Sequence, residues 1–254
     1  MAQIICIANQ KGGVGKTTTA INLSAALAVC DKKILIVDCD PQGNATTGIG
    51  VDKSTIDNSL YHGLIGSANA RKIVVESEIK NLHIIPARVE LIGFEVEMMS
   101  APDREKLLKN MLADISGQYD YIIIDCPPSL SLLTVNAMTA ADSVIIPLQS
   151  EFYALEGLGQ LLQTVKRIKQ SLNPDLKVAG ILLTMFDKRT NLAHQVAEDA
   201  ESYFSDMMFE TTIPRNVRLG EAPSFGKPII IYAPESVGAK SYNSLAQEVL
   251  KRKF

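Results

Sequence analysis

The sequence predicts an α/β fold with a single doubly wound, mostly parallel sheet flanked by helices, in one domain over residues 1–254. Three observations lead to this prediction. Short continuous runs of Val, Ile and Leu recur along the chain, as in strands that are covered on both faces. Segments with helical periodicity lie between these runs. No linker rich in Gly, Ser or Pro separates one part of the chain from another.

The predicted strands are short apolar runs bounded by polar or turn-forming residues. They cover residues 3–9, 33–38, 82–86, 121–125, 143–147, 177–184 and 228–231. Helical periodicity is clearest at residues 16–29 and 156–172, and a last helix is predicted at 240–254, directly after the last strand. Residues 52–77 are irregular, and the sequence predicts no element there.

The composition is that of a globular protein, with 46% hydrophobic and 21% charged residues, and it excludes a disordered or collagen-like chain. The apolar runs are far shorter than the ~18 residues that cross a bilayer. No basic-then-apolar leader opens the chain, so we expect a cytoplasmic protein. The four cysteines form no CxxC pair, which argues against a zinc ribbon and predicts small buried side chains.

The net charge of −3 is unevenly distributed along the chain. Residues 211–254 hold seven Lys and Arg against three acids, a net charge of +4, whereas the preceding 210 residues carry −7. The negative net charge by itself argues against a protein coated by nucleic acid. Its uneven distribution permits a local anion-binding face on an acidic body.

A glycine-rich loop joins the first predicted strand to the first predicted helix. We call it the phosphate loop, and its residues are Lys11, Gly12, Gly13, Val14, Gly15, Lys16, Thr17 and Thr18. Glycines let backbone N–H groups turn towards phosphate oxygens, and the helix N-terminus adds its dipole. Lys16 can reach the β- and γ-phosphates of a nucleotide, and Thr17 can ligate Mg²⁺. A glycine-rich turn without a ligand is the alternative, but strand, loop and helix follow in the order that the motif requires.

The phosphate loop departs from the strict Walker A pattern at one position. Gln10 stands where that pattern has glycine, and Lys11 is an additional lysine inside the loop. The sequence therefore predicts a deviant Walker A motif within a fold of the P-loop NTPase type.

Acidic residues follow two further predicted strands. Asp38 is the last residue of the predicted strand 33–38, and Asp40 follows two residues later. Asp125 is the last residue of the predicted strand 121–125. Ligands of open α/β sheets bind at the carboxyl ends of the strands. Asp125 fits a Walker B carboxylate that holds Mg²⁺ directly or through water, and Asp40 is the candidate to orient or deprotonate an attacking water. The alternative for each acid is to cap a loop at the end of its strand.

Four segments together resemble the ParA/Soj partition ATPases, within the deviant Walker A group that also includes MinD. They are the phosphate loop, residues 38–44 (Asp-Cys-Asp-Pro-Gln-Gly-Asn), residues 125–129 (Asp-Cys-Pro-Pro-Ser) and residues 213–219 (Ile-Pro-Arg-Asn-Val-Arg-Leu). The resemblance covers essentially the whole chain. It implies a homodimer that sandwiches ATP and Mg²⁺ between its subunits and binds double-stranded DNA non-specifically. It also implies a ParB-like centromere-binding partner that stimulates hydrolysis, a location on the nucleoid and no stable membrane association.

The resemblance also assigns nucleotide-site residues. It implies catalytic roles for Lys11, Lys16 and Asp40, with Lys11 reaching across to the phosphates bound by the other subunit. It gives metal binding to Thr17, Asp40 and Asp125. Nucleotide contacts fall on the phosphate loop, with Met185, Pro214 and Asn216 flanking the adenine.

DNA contacts are assigned in the same way to Arg189 and Arg218, which match the family's contact positions. Lys227, Lys251, Arg252 and Lys253 are additions made because of their charge. The alternative for these cations is a solvated surface.

Proteins of other classes share a phosphate loop. A MinD-like membrane organiser would need a C-terminal amphipathic helix beyond the domain, whereas Leu245, Val249 and Leu250 predict the buried face of the last domain helix. An iron–sulfur protein would need paired cysteines, and Cys126 has no second cysteine suitably near. A metabolic ligase would need a substrate domain, and a transcription factor would need an N-terminal helix-turn-helix. We expect this chain to have room for neither.

Overall fold

A seven-stranded sheet forms the centre of the molecule in a computed structural model that describes residues 1–151 and 153–252. The spatial order of the strands is β3-β4-β2-β5-β1-β6-β7. The pairing of β3 with β4 is antiparallel, and every other pairing is parallel. The strands are β1 (Gln3–Ile7), β2 (Ile34–Asp38), β3 (Val75–Glu76), β4 (Leu82–Ile85), β5 (Tyr121–Asp125), β6 (Ser143–Gln149) and β7 (Lys177–Thr184).

Helices flank this sheet, as predicted for a doubly wound α/β fold. The α-helices are α1 (Lys16–Val29), α2 (Asn44–Gly48), α3 (Leu60–Leu64), α4 (Ala70–Ile73), α5 (Phe94–Glu97), α6 (Leu107–Ala113), α7 (Leu132–Ala140), α8 (Ala154–Ser171), α9 (Asn191–Phe204), α10 (Val217–Glu221), α11 (Ile229–Tyr232) and α12 (Val237–Lys251). Short 3₁₀ helices lie at Lys53–Thr55, Val89–Gly93, Arg104–Lys106, Ser116–Gln118, Ser205–Met207 and Ala222–Phe225.

The strand sequences explain why both faces of the sheet are covered. Along β2, Ile34 and Ile36 belong to one buried cluster, and Leu35 and Val37 belong to the cluster on the other face. All four side chains have no exposed surface. Because successive side chains of a strand point to opposite faces, a continuous apolar run is what two covered faces require.

The parallel register gathers the predicted site residues at one edge of the sheet. Asp38 at the end of β2 and Ile7 at the end of β1 each lie opposite Asp125 at the end of β5. The phosphate loop leaves β1 at the same edge, and α1 begins at Lys16.

The predicted strand at residues 228–231 is wrong. Pro228 has no backbone N–H, and its carbonyl accepts the N–H groups of Ile231 at 3.0 Å and Tyr232 at 2.9 Å, which forms the helical turn α11. The N–H of Ile229 donates to the Asn22 side chain at 2.7 Å instead of to a neighbouring strand. Contacts with α1 therefore determine the conformation of this run of β-branched residues and override its intrinsic β propensity.

Other boundaries differ by smaller amounts. The last helix, α12, begins at Val237 with a Ser236 cap and follows α11, not a strand. The helix predicted at 156–172 spans Ala154–Ser171. The unassigned residues 52–77 contain the two-residue strand β3, which is too short to show a periodic pattern. A single domain over residues 1–254 stays a prediction.

Candidate functional site

The phosphate loop is shaped by glycines with left-handed backbone conformations. Gly13 and Gly15 have φ angles of +75° and +87°, which side chains rarely adopt. Gly15 is also the N-cap residue of α1 and provides no side-chain cap. The first N–H groups of α1 therefore lack a side-chain acceptor from the cap, as in helix N-termini that bind anions.

Lys16 lies inside this loop with only 7% of its surface exposed. Its ammonium donates to the Lys11 carbonyl oxygen at 2.9 Å. Burial lowers the pKa of Lys16, while the nearby charges of Asp125 and Asp40 act in the opposite direction. A phosphate group in the loop would supply the anionic partner that this buried ammonium lacks.

Lys11 points to a different element. Its ammonium forms an ion pair with Glu151, which lies on the turn between β6 and α8. Both side chains are about half exposed, at 43% and 46%. The two lysines of the phosphate loop are therefore in different environments, because one is buried and the other lies at the surface.

Two buried carboxylates lie side by side beneath the loop. Neither oxygen of Asp125 has a hydrogen-bond partner among the described residues. Burial and then repulsion by Asp38 raise the pKa of Asp125 well above its usual range. The Thr17 hydroxyl acts to lower this pKa, although it does not reach hydrogen-bond geometry. An unpartnered buried carboxylate beside a hydroxyl is suited to hold a cation or its water shell.

Asp38, in contrast, is fully hydrogen-bonded. The Thr46 amide and hydroxyl donate to one of its oxygens at 2.8 and 2.7 Å, and the Asp40 amide donates to the other at 3.2 Å. Burial nevertheless raises the pKa of Asp38 to about 6. Asp38 therefore fixes the backbone that carries Asp40, while Asp40 itself is partly exposed and lines the adjoining cavity.

A cavity of about 680 Å³ opens over the phosphate loop. Its walls bring together the loop, Asp40 and the predicted adenine-flanking residues Met185, Pro214 and Asn216. Met185 directly follows β7 and has a φ angle of +49°, and the next residue, Phe186, bridges to Pro214. Lys11, Val14 and Asp125 do not line the cavity, because Val14 and Asp125 are buried and Lys11 is turned to Glu151.

The donor set in and beneath this cavity fits Mg²⁺ bound with a nucleotide. Thr17, Asp40 and Asp125 offer oxygen atoms only, the ligands that Mg²⁺ prefers. Within residues 1–151 and 153–252 there is no group of three His, Cys, Asp or Glu side chains arranged to hold a metal by themselves. Mg²⁺ typically keeps several waters and shares its remaining positions with substrate phosphates, which agrees with this sparse set.

The two arginines predicted to contact DNA are exposed, and each is paired with an acid. Arg189 donates to both carboxylate oxygens of Asp187, at 2.9 and 2.7 Å. Arg218 donates to Glu221 at 2.7 Å. Both arginines lie close to the cavity wall in sequence, Arg189 shortly after Met185 and Arg218 shortly after Asn216.

The other cations of the prediction separate into distinct groups. Lys227 and Lys251 are exposed. Arg252 is used inside the chain, where it donates to the Ala179 and Met208 carbonyls, pairs with Glu248 and covers the Phe209 ring. These contacts give Arg252 a structural role at the end of α12, and we remove it from the proposed DNA-contact set. Lys253 lies outside the described residues.

Three residues of the site are absent from the sequence predictions. Glu151 follows β6 in a segment without a motif. The Thr184 hydroxyl donates to the Val14 carbonyl at 2.8 Å and so supports the phosphate loop from the end of β7. Arg215 is exposed and lines the cavity between Pro214 and Asn216, close enough to Asp187 to lower its pKa. The position of Arg215 within the 213–219 motif could have marked it.

Comparisons with known proteins identify relatives of the whole chain. The family model AAA_31, described as an AAA domain, matches residues 2–178. The chain is 54% identical over 252 residues to the chromosome partitioning protein ParA of Myxococcus xanthus, covering 99% of this chain and 89% of that protein. It is 55% identical over 249 residues to the sporulation initiation inhibitor protein Soj of Bacillus subtilis, covering 98% of each.

A solved structure shows the same architecture. The crystal structure of cobyrinic acid a,c-diamide synthase from Mycobacterium smegmatis with bound ADP and magnesium has a TM-score of 0.87 to this chain at 36% identity. The match covers 99% of this chain and 95% of that one.

Proposed function

The chain belongs to the ParA/Soj family of chromosome-partitioning ATPases, and from that premise we propose that it partitions DNA as an ATP-dependent dimer. It is an ATPase with ATP and Mg²⁺ as its cofactors. The observation that carries the proposal is the cavity over the phosphate loop, which brings Lys16, Thr17 and Asp40 together above the buried Asp125.

The arrangement of side chains supports a division of roles in hydrolysis. Lys16 neutralises charge on the β- and γ-phosphates, and the N–H groups of the loop and of α1 bind their oxygens. Thr17 and Asp125 would hold Mg²⁺ directly or through its water shell, with Asp40 as a further candidate ligand, and the ion would neutralise phosphate charge. Asp40, whose backbone is fixed through Asp38, orients the attacking water or accepts its proton.

Lys11 is proposed to act across the dimer. Lys16 already fills the phosphate role within the subunit, and Lys11 lies at the surface where a second copy can approach. In the ATP-bound dimer its ammonium would contact the nucleotide of the other subunit and neutralise phosphate charge there. Each subunit would then complete the other's site.

DNA binding is proposed for the exposed cations Arg189, Arg218, Lys227 and Lys251, of which Arg189 and Arg218 follow segments that line the nucleotide cavity. A single acidic subunit with few cations binds duplex weakly, because non-specific affinity grows with the number of phosphate contacts. A dimer doubles the set and engages the second half at high effective concentration. We propose that a ParB-like centromere-binding partner stimulates hydrolysis and releases the dimer from DNA, which places the protein on the nucleoid.

A membrane organiser is the alternative function from the same structural group. The apolar face of α12 argues against it, since Leu245 and Val249 have no exposed surface and Leu250 is partly buried against the same cluster. In the part of the chain that the structure describes, no helix is long and apolar enough to span a bilayer. Because the apolar face of α12 is already buried against the domain, we favour DNA over a lipid surface as the anionic partner.

The test combines dimerisation with DNA binding. Wild-type protein should sediment with random duplex DNA in the presence of Mg-ATP and not without nucleotide, and Lys11→Ala should bind nucleotide yet stay monomeric in size-exclusion chromatography. Normal dimerisation of Lys11→Ala would overturn its role across the dimer. Sedimentation of ATP-bound wild type with anionic vesicles but not with DNA would favour the membrane organiser.

A further inference from the structure

The surface lysine of the phosphate loop is tied to the end of β6 within its own subunit. The Lys11 amide donates to the Asn9 side chain at 3.0 Å, and the buried Asn9 side chain donates to the Pro147 carbonyl at 2.7 Å. The Lys11 ammonium pairs with Glu151. Backbone and side chain of Lys11 are therefore both directed to the same region of the subunit.

The turn that carries Glu151 is itself hydrogen-bonded. The Glu151 amide donates to the Gln149 carbonyl at 2.8 Å, and the Glu151 carbonyl accepts the Ala154 amide at 2.9 Å. These bonds fix the Glu151 backbone between β6 and the start of α8. The carboxylate is thus presented to Lys11 from a turn whose backbone is hydrogen-bonded on both sides of Glu151.

The exposure of this pair determines what it can do. A buried pair would hold Lys11 permanently, because separating buried charges is costly. The Lys11 and Glu151 side chains are 43% and 46% exposed, so their attraction is weak and exchangeable. An exchangeable pair shifts the population of Lys11 conformers without preventing a move to another anion.

We propose that Glu151 is a positioning residue that holds Lys11 within its own subunit until the nucleotide of a second subunit replaces it as the anionic partner. Glu151 thereby opposes dimerisation and raises the protein concentration at which the ATP-bound dimer forms. The contact stands on its own observations, and its consequence for the dimer rests on the proposed function.

A chemical footprint tests the contact without any dimer. In nucleotide-free protein, acetylation of Lys11 by a water-soluble N-hydroxysuccinimide ester is measured by mass spectrometry and normalised to Lys80, which is exposed and makes no ion pair within the described chain. Glu151→Gln should speed Lys11 acetylation by about two- to fivefold, the range expected for loss of an exposed ion pair. Glu151→Asp, which keeps the charge on a shorter stem, should restore part of the protection.

Glu156 provides the matched control. It is exposed in the first turn of α8 and makes no ion pair with any residue that the structure describes. Glu156→Gln changes the net charge by the same amount in the same region and should leave Lys11 acetylation unchanged. An equal rise in both variants would mean that only the general charge matters, which would overturn the proposal.

Sedimentation velocity with Mg²⁺ and a non-hydrolysable ATP analogue tests the consequence. Because two pairs are released per dimer, Glu151→Gln should lower the midpoint concentration of dimerisation by about four- to 25-fold relative to wild type and Glu156→Gln.

The possible failures are distinguishable. Unchanged Lys11 acetylation in Glu151→Gln overturns the contact, whatever the dimer does. Faster acetylation with an unshifted midpoint overturns the positioning role. A wild-type chain that stays monomeric with the analogue overturns the proposed dimer, and with it the effect of Glu151 on dimerisation, even where the footprint supports the contact.

Discussion

The nucleotide edge of the sheet and the exposed region around Arg189 and Arg218, which we call the basic surface, both place acids beside cations, but at very different depths. Asp38 and Asp125 have no exposed surface, and Lys16 has 7%. At the basic surface the side chains of Arg189 and Arg218 are 86% and 58% exposed. Water screens the exposed charges but not the buried ones. The buried charges of the nucleotide edge are therefore held in one geometry, whereas the exposed ion pairs of the basic surface can exchange partners.

The pKa values follow this difference in depth. At the nucleotide edge burial dominates, raising the pKa of Asp125 well above its usual range and that of Asp38 to about 6. At the basic surface hydrogen bonds to arginine dominate, holding the pKa of Asp187 and Glu221 below their usual values. We therefore expect large effects from changes at the edge and modest ones from changes at the surface.

Replacing Asp40 should have the largest effect. Asp40→Ala removes the group that orients the attacking water while the phosphate loop stays intact, so ATP hydrolysis should fall about 10²- to 10⁴-fold with nucleotide binding preserved. Phosphate release measures the first quantity, and equilibrium titration with a fluorescent ATP analogue measures the second. Asp40→Asn, which keeps the side-chain size but loses the charge, should be equally inactive. Turnover near that of wild type in either variant contradicts the assignment.

The buried acids also predict an unusual pH dependence of folding. The pKa of Asp38 is higher in the folded protein than in the unfolded chain, so the folded state binds more protons between about pH 4 and pH 6. Stability of the nucleotide-free protein should therefore fall as the pH rises through this window, by up to about 3 kcal/mol at the conversion of 1.36 kcal/mol per unit.

Urea denaturation from pH 4.5 to 7 with a chelator present measures this slope. In Asp38→Asn the side chain no longer titrates, and the slope should be reduced. A wild-type stability that increases between pH 4.5 and 6 would show that burial does not dominate at this edge.

Charge reversal at the basic surface should come next in magnitude. Arg189→Glu and Arg218→Glu should each abolish measurable binding of random duplex by the ATP-bound dimer, since two phosphate contacts become two repulsions per dimer. Dimerisation with ATP should be unaffected because neither arginine lines the cavity. Lys166→Glu, which reverses an exposed cation on α8, is the control. Wild-type affinity and salt dependence in both arginine variants would place the DNA surface elsewhere.

The sequence predicted the nucleotide edge better than the basic surface, for a physical reason. Continuous apolar strands and a glycine-rich loop are local patterns, and parallel pairing then necessarily brings Asp38, Asp40 and Asp125 to one edge. The Lys11–Glu151 contact joins segments far apart in the chain, and no periodicity reports it. Arg252 likewise donates to carbonyl groups of β7 and of the segment that follows α9, which are distant in sequence.

The prediction for residues 228–231 failed for the same reason. Three consecutive isoleucines favour a strand locally, yet Pro228 and the side chain of Asn22 determine the hydrogen bonding there. Where tertiary contacts decide the conformation, propensity is only a weak guide.

The smallest predicted effect concerns the acids that accompany the DNA-contact arginines. Asp187 and Glu221 occupy the guanidinium groups that phosphates would bind, so DNA has to displace them. Because exposed ion pairs are weak, Asp187→Asn and Glu221→Gln should each raise the affinity of the ATP-bound dimer for random duplex by about two- to fivefold. Glu198→Gln on α9 changes the net charge equally at an exposed residue that belongs to neither pair, and is the control. Titrations at several salt concentrations measure these affinities. A double variant separates two explanations of an increase. If the acids act by occupying the arginines, Asp187→Asn should lose its effect in an Arg189→Ala background, whereas a general charge effect would persist there and would match that of Glu198→Gln.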